Sequence, residues 1–198
     1  MIRRRVRTTG FTIIELLVAV AIAAILIALA APSFAEFLAK RRVEGTTSEL
    51  VTDMQFARSE AVSRNAPVRI TFGTGCYVIH LASVTADTTT CATTPADSDI
   101  KTVRIDATRL FLKPEGGLMS YFEFDPVRGT AANDLASPGN GRIEVCVANA
   151  ARDDCATTAH SWKLMVVLTL LGRVETCSPS GTGYMFGYSN SCTPASES

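Results

Sequence analysis

One apolar run near the N-terminus restricts the possible folds of this chain more than any other feature. Residues 11–31 contain a single charged side chain, Glu15, among 21 positions. As an α-helix, this run is about 31 Å long, which is close to the thickness of a bilayer's hydrocarbon core. Residues 32–198 have a mixed composition and are numerous enough for one ordinary domain. The sequence therefore predicts an apolar helix attached to one folded domain.

Four arginines precede the apolar run, and no acidic residue accompanies them: Arg3, Arg4, Arg5 and Arg7. Because basic flanks stay on the cytoplasmic side, we expect the N-terminus inside and the remaining chain outside. The whole chain carries 19 basic and 19 acidic side chains. Removing the four arginines leaves 15 basic against 19 acidic side chains. This net acidity argues against a globally basic nucleic-acid-binding protein.

Three interpretations of the N-terminal segment compete. A secretory signal peptide has the same basic start, and Ala28-Leu29-Ala30 is similar to its small-residue cleavage site. Against it, Pro32 lies close behind that site, and a carboxylate lies inside the apolar run. A plain membrane anchor also leaves Glu15 unexplained, because a carboxylate within a bilayer costs about 2.5–3.5 kcal/mol on insertion scales.

The third interpretation rests on the residues where the run begins. Gly10 ends the basic leader, and Phe11, Thr12, two isoleucines and Glu15 follow it. This order resembles the processing site of type IV prepilins and type II secretion pseudopilins. The resemblance implies that a membrane-embedded prepilin peptidase removes residues 1–10 by cutting between Gly10 and Phe11, and that Phe11 is then N-methylated. Because the cut precedes the apolar run, the mature chain keeps residues 11–31 as a transmembrane and filament-core helix.

The same resemblance assigns Glu15 a role in filament assembly. In that family the apolar helices pack side by side without water, and Glu15 is implied to pair with the terminal amine of a neighbouring subunit. The opposite charge would offset the desolvation that a lone buried carboxylate suffers. The alternative is a protonated Glu15 that is tolerated in lipid.

A helical pattern resumes after Pro32, which lacks a backbone N–H and should kink or interrupt the helix. Apolar residues then recur at helical spacing and mark one face of an amphipathic helix: Leu50, Met54, Ala57 and Ala61. We assign residues 32–65 to this helix and expect it to end at Asn65-Ala66-Pro67. The basic residues 40–42 lie just beyond the membrane end, where we expect them to reach lipid headgroups.

Residues 66–198 form the predicted head domain, which is rich in β-strands. Strands are predicted over residues 68–72, 76–79, 101–105, 121–124, 142–147 and 162–170, with the last expected to be central. The Thr- and Ser-rich residues 83–99 are expected to form a loop. Because strands and helices do not alternate, the fold class is α+β. We expect a pilin-like fold, with a long N-terminal helix packed on an antiparallel head.

Three segments of the chain narrow the resemblance to the FimT/FimU and GspH group. Residues 54–68 resemble the group's helix-to-head junction, residues 124–129 its mid-head signature, and Gly172-Arg173-Val174 its C-terminal signature. The resemblance implies a minor pilin that helps prime or cap a type IV pilus together with other pilins. The alternative is a GspH-type minor pseudopilin of a type II secretion system. Either protein would start as a single-pass protein of the inner membrane with its head in the periplasm, and would then enter the filament.

The six cysteines all lie in the head. In an oxidising compartment they are expected to form disulfides rather than to bind a metal. Six cysteines allow fifteen connectivities, and we favour neighbours in sequence: Cys76–Cys91, Cys146–Cys155 and Cys177–Cys192. Each bond should stabilise the head by about 2–4 kcal/mol in the chain-entropy description.

The sequence offers no convincing catalytic, cofactor or metal site, and we expect no enzyme. Gly181, Gly183 and Gly187 do not have the spacing of a dinucleotide-binding loop. His160 is interpreted as a structural or surface residue, and Asp153-Asp154 as a solvated turn rather than a cation site.

DNA uptake is a second alternative. Some FimT-type proteins that resemble this chain take up DNA through a Gly-Arg-x-Arg-x-Cys stretch. Here residues 172–177 place Glu175 where the second arginine stands. This exchange should weaken phosphate contact, because binding depends on neutralising backbone charge. Lys163 and Arg173 remain candidates for a small DNA-binding patch, but this role is not favoured.

Overall fold

The computed structural model describes residues 11–73, 75–83, 99–114, 121–127, 131–133, 141–158, 161–169, 171–179, 181, 183–190 and 192. The chain divides into two compact units, Met1–Leu38 and Ala39–Ser198. One helix, α1 (Ile13–Arg64), contributes residues to both units. The backbone is helical on both sides of Pro32, so this proline does not interrupt α1, which is one of the two outcomes that the sequence predicted. Residues 16–31 are all apolar and favour a helix, and this helix continues through the proline that follows them.

The helix ends where the sequence predicts. Asn65 adopts a positive φ of 49°, a left-handed conformation that asparagine tolerates better than most residues. The Asn65 N–H donates to the Val62 carbonyl (3.3 Å), and the Ala66 N–H donates to the Ala61 carbonyl (3.2 Å). This pair of bonds is the Schellman motif, which satisfies two carbonyls that the helix end leaves free.

Within its described residues, the head has nine strands after α1. They are β1 (Val68–Gly73), β2 (Cys76–Leu81), β3 (Asp99–Arg104), β4 (Leu110–Pro114), β5 (Tyr121–Phe124), β6 (Ala131–Asn133), β7 (Gly141–Val147), β8 (Lys163–Leu168) and β9 (Val174–Cys177). They form a five-stranded sheet, in the order β3-β2-β1-β5-β6, and a four-stranded sheet, in the order β4-β7-β8-β9. Every strand pair is antiparallel. The apolar strand β8 lies inside its sheet, between β7 and β9, as predicted.

The amphipathic part of α1 forms one wall of the head's core. The predicted face, Leu50, Met54, Ala57 and Ala61, is fully buried. These side chains share one apolar cluster with residues of both sheets, such as Phe122 of the five-stranded sheet. The prediction of an α+β head, in which a helix packs on antiparallel sheets, is therefore confirmed.

Candidate functional site

The N-terminal part of α1 is an apolar surface without a partner in the described part of the chain. Ile13–Ala31 is long and apolar enough to cross a membrane, with a mean hydropathy of 3.0, and none of it is buried. Ile13 and Leu29 are 80% and 72% exposed. A helix that is apolar on all sides must be covered by lipid or by other apolar helices.

Glu15 lies in the first turn of this helix and is exposed. Its backbone N–H donates to the Thr12 Oγ1 (3.3 Å), so Thr12 caps the helix. Threonine followed three residues later by glutamate is the spacing of a capping box, in which both residues stabilise the helix start. A carboxylate at this position also interacts favourably with the helix dipole. Sequence reasoning missed the cap that Thr12 provides, although the Thr-x-x-Glu spacing indicates it.

Phe11 and Gly10 flank the predicted cleavage position. Phe11 is 84% exposed and lies before the first residue of α1. Gly10 and the rest of the leader lie outside the described residues.

Two disulfides join the cysteine pairs that the sequence favoured: Cys146–Cys155 and Cys177–Cys192. Cys76 is also disulfide-bonded, and its predicted partner, Cys91, lies outside the described residues. Cys146–Cys155 closes a short turn, and Cys177–Cys192 ties the C-terminal segment to β9.

The candidate DNA-contacting residues lie at opposite ends of one strand. Lys163 begins β8, whereas Arg173 follows the far end of that strand, where its carbonyl accepts the Thr169 N–H (2.9 Å). Six residues of strand separate the two positions by about 20 Å. Both cations are paired with acids: Lys163 Nζ is 3.2 Å from a Glu144 oxygen, and Arg173 Nε is 3.0 Å from a Glu175 oxygen. DNA contact by these two residues stays a prediction that is not favoured.

The acidic turn behaves as a solvated ion-paired turn. Asp154 contacts Lys113 Nζ at 2.7 Å, and Asp153 accepts a hydrogen bond from the Asn149 side chain at 2.7 Å. The Lys113 hydrogen bond, followed by the Cys155 backbone N–H, lowers the pKa of Asp154 below its usual range. Among the described residues, no group of three or more His, Cys, Asp or Glu side chains could hold a metal ion.

The remaining residues considered from sequence are His160 and three glycines of the C-terminal segment. His160 lies outside the described residues. Gly181, Gly183 and Gly187 all have positive φ angles and lie in turns of the C-terminal segment, so they allow sharp changes of chain direction.

A groove of about 670 Å³ lies between α1 and the turn that precedes β9. Gln55, Arg58, Ser59 and Val62 line one side, and Gly172-Arg173-Val174 lines the other. The Arg58 Nη1 donates to the Gly172 carbonyl at 3.3 Å. The helix-to-head junction and the C-terminal signature, 114 residues apart in sequence, are therefore neighbours in the head.

Comparisons with known proteins identify the family. The family model described as "Type II transport protein GspH" matches residues 46–172, a range that includes the amphipathic part of α1 from Thr46 onward and strands β1 to β8. The chain belongs to the GspH family. A second model, "Prokaryotic N-terminal methylation motif", matches residues 5–31 of this GspH-family chain. The predicted membership in the minor pilin and pseudopilin family is thus confirmed, and the chain is a membrane-anchored, single-pass protein.

Among solved structures, the chain is similar to the type IV minor pilin FimU of Pseudomonas aeruginosa (strain PAO1) in two crystal forms. Each FimU chain is 18% identical to this chain, and each match covers 99% of the FimU chain. The two matches cover 75% and 71% of this chain, with TM-scores of 0.49 and 0.47. No curated protein sequence matches this GspH-family chain significantly.

Proposed function

We propose that this chain is a minor pilin that helps to prime or cap assembly of a type IV pilus. The observation that carries the proposal is the methylation motif at residues 5–31 in the same chain as a GspH-family match over residues 46–172. The motif's helix is apolar and uncovered, so it requires a partner outside the described chain. Lipid covers this helix before assembly, and the helices of neighbouring pilins cover it in the filament.

A second candidate is a minor pseudopilin of a type II secretion system. The description of the matching family, a type II transport protein, favours it. Deleting the gene separates the two candidates. Loss of surface pili with normal protein secretion supports the pilin, whereas accumulation of secreted enzymes in the periplasm with normal pili supports the pseudopilin.

Both candidates share the same maturation. Prepilin peptidase removes residues 1–10, and Phe11 becomes the N-methylated terminus. The protein starts in the inner membrane with its head in the periplasm, an oxidising compartment that suits disulfides such as Cys146–Cys155 and Cys177–Cys192.

The mass of the mature chain tests this maturation. We expect intact-mass spectrometry to give a chain that begins at Phe11 and carries one added methyl group. Gly10→Val should leave the leader attached, because the cleavage site then lacks the glycine that precedes the cut. Ala30→Leu, at the alternative signal-peptide site, should be processed normally. A mature chain that begins at Ala31 would refute the proposal.

Glu15 is proposed to pair with the terminal amine of Phe11 in a neighbouring subunit. The Thr12 hydroxyl binds the Glu15 backbone N–H, and the carboxylate itself is exposed. We therefore expect Glu15→Gln, which keeps the shape and removes the charge, to be processed but incorporated poorly into filaments.

Thr12→Ala is the matched control for Glu15→Gln. It removes the cap, at a cost of about 1 kcal/mol to the helix, but keeps the carboxylate. Immunoblots of sheared filaments should therefore show near-normal amounts of Thr12→Ala and little Glu15→Gln. Equal loss of both variants would mean that Glu15 acts only by stabilising the helix start, and the proposed pairing would be wrong.

A further inference from the structure

Aromatic side chains gather at the end of the unit Ala39–Ser198 where the chain enters it. Lys40 Nζ lies 5.8 Å from the centre of the Trp162 ring, within the range of a cation–π contact. The next residue, Lys163, donates its backbone N–H to the Gly183 carbonyl (3.3 Å). A side chain at Gly183 would overlap the backbone oxygen of Ser161, so the chain passes very close at this point. The segment 183–188 therefore lies beside Trp162 and Lys40.

This segment is firmly held, and it presents aromatic side chains outward. Met185 is fully buried, and its N–H donates to the Ser178 hydroxyl at 2.8 Å. The Tyr184 hydroxyl donates to the Tyr188 carbonyl at 3.2 Å. Between these anchors, Phe186 is 87% exposed, and Tyr184 is 38% exposed. An exposed aromatic ring on a braced turn is pre-organised for contact with another surface.

The same end of the unit carries cations. Tyr188 lies close enough to Arg41 and Glu44 for both charges to act on its hydroxyl. Arg41 is bound to Glu44 (2.9 Å), yet its side chain is 63% exposed. With Lys40 before it and Arg42 after it, α1 presents three consecutive basic residues here.

We propose that this basal surface, formed by Lys40, Arg41, Trp162, Tyr184 and Phe186, rests on the phospholipid headgroups of the membrane that holds the chain before assembly. Tryptophan and tyrosine favour the headgroup level, and lysine and arginine bind lipid phosphates.

The covalent link to the membrane span supports lipid as the occupant. Nine residues of chain lead from Ala31, the last residue of the apolar segment, to Lys40. A segment of this length spans at most about 32 Å when fully extended, so Lys40 stays close to the membrane that holds Ala31 throughout the life of the unassembled protein. The headgroup region extends about 5–8 Å beyond the hydrocarbon core, and long basic side chains shorten the remaining distance to the phosphates.

Fluorescence quenching by brominated lipids tests the proposal. Trp162 is the only tryptophan in the chain, so the double variant Trp162→Phe/Phe186→Trp has one reporter, at position 186. The full-length protein is placed in nanodiscs of anionic phosphatidylglycerol brominated near the top of the acyl chains. We expect a clear loss of fluorescence relative to unbrominated lipid.

Val127 provides the matched control. It is 83% exposed and follows Phe124, which pairs with Val68 next to the C-terminal end of α1. That end is about 36 Å along α1 from Lys40. The variant Trp162→Phe/Val127→Trp should therefore show no quenching in the same nanodiscs.

Each outcome decides for or against the proposal. Quenching at position 186 that weakens in zwitterionic lipid, or on adding Arg41→Ser, supports it. No quenching at 186, or equal quenching at 186 and 127, overturns it. If 186 is not quenched and Phe186→Ala reduces incorporation into filaments, the surface binds a neighbouring subunit, and the lipid proposal is wrong. Should Trp162→Phe unfold the head, Trp162 itself serves as the reporter, and Phe186→Ala must reduce its quenching.

Discussion

A buried carboxylate joins α1 to the five-stranded sheet and allows a quantitative test of how the head is held together. Asp53 of α1 is only 4% exposed. The Tyr77 hydroxyl of β2 donates to its Oδ2 at 2.8 Å. The Lys101 ammonium of β3 donates to Oδ1 at 2.6 Å and to Oδ2 at 2.8 Å. Tyr77→Phe removes one of these donors and keeps the aromatic ring in the core.

The expected loss follows from the partners that remain. A hydrogen bond to a charged group contributes about 1.5–3 kcal/mol net. Because Lys101 still binds both carboxylate oxygens, Asp53 is not left unpaired, and we expect the lower part of this range, about 1.5–2 kcal/mol. In a domain of this size, that loss lowers Tm by about 3–8 °C.

The difference in the free energy of unfolding between the native protein and Tyr77→Phe should shrink at high pH. Burial, and then the hydrogen bond to Asp53, raise the pKa of Tyr77 far above its ordinary value. A group with a raised folded-state pKa contributes stability below its unfolded pKa of about 10, and this stability is lost as the pH rises further. The native protein should therefore lose about 1.4 kcal/mol per pH unit relative to Tyr77→Phe above pH ~10. The two free energies of unfolding should meet about 1–1.5 units above that pH.

Urea unfolding of the full-length protein, followed by Trp162 fluorescence, measures these free energies. Tyr121→Phe is the control, because the Tyr121 ring is only partly buried and stacks against the Arg69 guanidinium at 4.3 Å. It should change stability by less than about 0.5 kcal/mol. The reasoning is refuted if Tyr77→Phe is as stable as the native protein at pH 7, or if the difference stays constant up to pH 11.5.

Two further predictions concern the backbone and the exposed ion pair, and both are read from urea unfolding. Gly45→Ala should raise the free energy of unfolding by about 0.5–1 kcal/mol, because an added Cβ meets no atom within 4 Å in this helix. Gly183→Ala should lower the free energy of unfolding, because φ is 85° at this position and the added Cβ would overlap Ser161. A Gly183→Ala protein that is more stable than Gly45→Ala would contradict this account. Asp154→Asn should lower it by less than about 1 kcal/mol at pH 7, because the pair with Lys113 is half exposed. Since the pKa of Asp154 is lowered, this difference should vanish as the pH falls below about 4, and a difference that persists at pH 2 would contradict the assignment.

Elements with a strong local pattern could be predicted from the sequence. The buried face of α1 follows from apolar residues at steps of three and four, and β1 and β7 follow from alternation. β4, β6 and β9 were not predicted. β4 begins with Leu-Phe-Leu and ends in proline, β6 has three residues and β9 has four. Each of the three lies at an edge of its sheet. The pairing partner defines such edge strands more than their own pattern does.

Polar contacts between residues far apart in the chain could not be predicted from the sequence. Asp53 resembles any polar residue next to the apolar face of a helix, and its partners Tyr77 and Lys101 are 24 and 48 residues away. The relative positions of Lys163 and Arg173 could be read from the sequence more directly. The strand predicted over residues 162–170 places them near its opposite ends, as the structure does.

The two parts of α1 lie in different environments, one uncovered by the described chain and one buried in the head. The distribution of polar groups along α1 explains why a change around the first part need not affect the second. From Ile13 to Ala31, α1 is apolar on every side and contains one carboxylate, so its free energy depends on what surrounds it. Beyond Ala39, the apolar surface narrows to one face that the sheets bury, and Asp53 is neutralised within the head. Replacing lipid by neighbouring helices therefore changes the contacts of the first segment and leaves the buried core of the head unchanged. It follows that Glu15→Gln should leave urea unfolding of the head unchanged, whereas Tyr77→Phe should weaken the head without releasing the chain from the membrane.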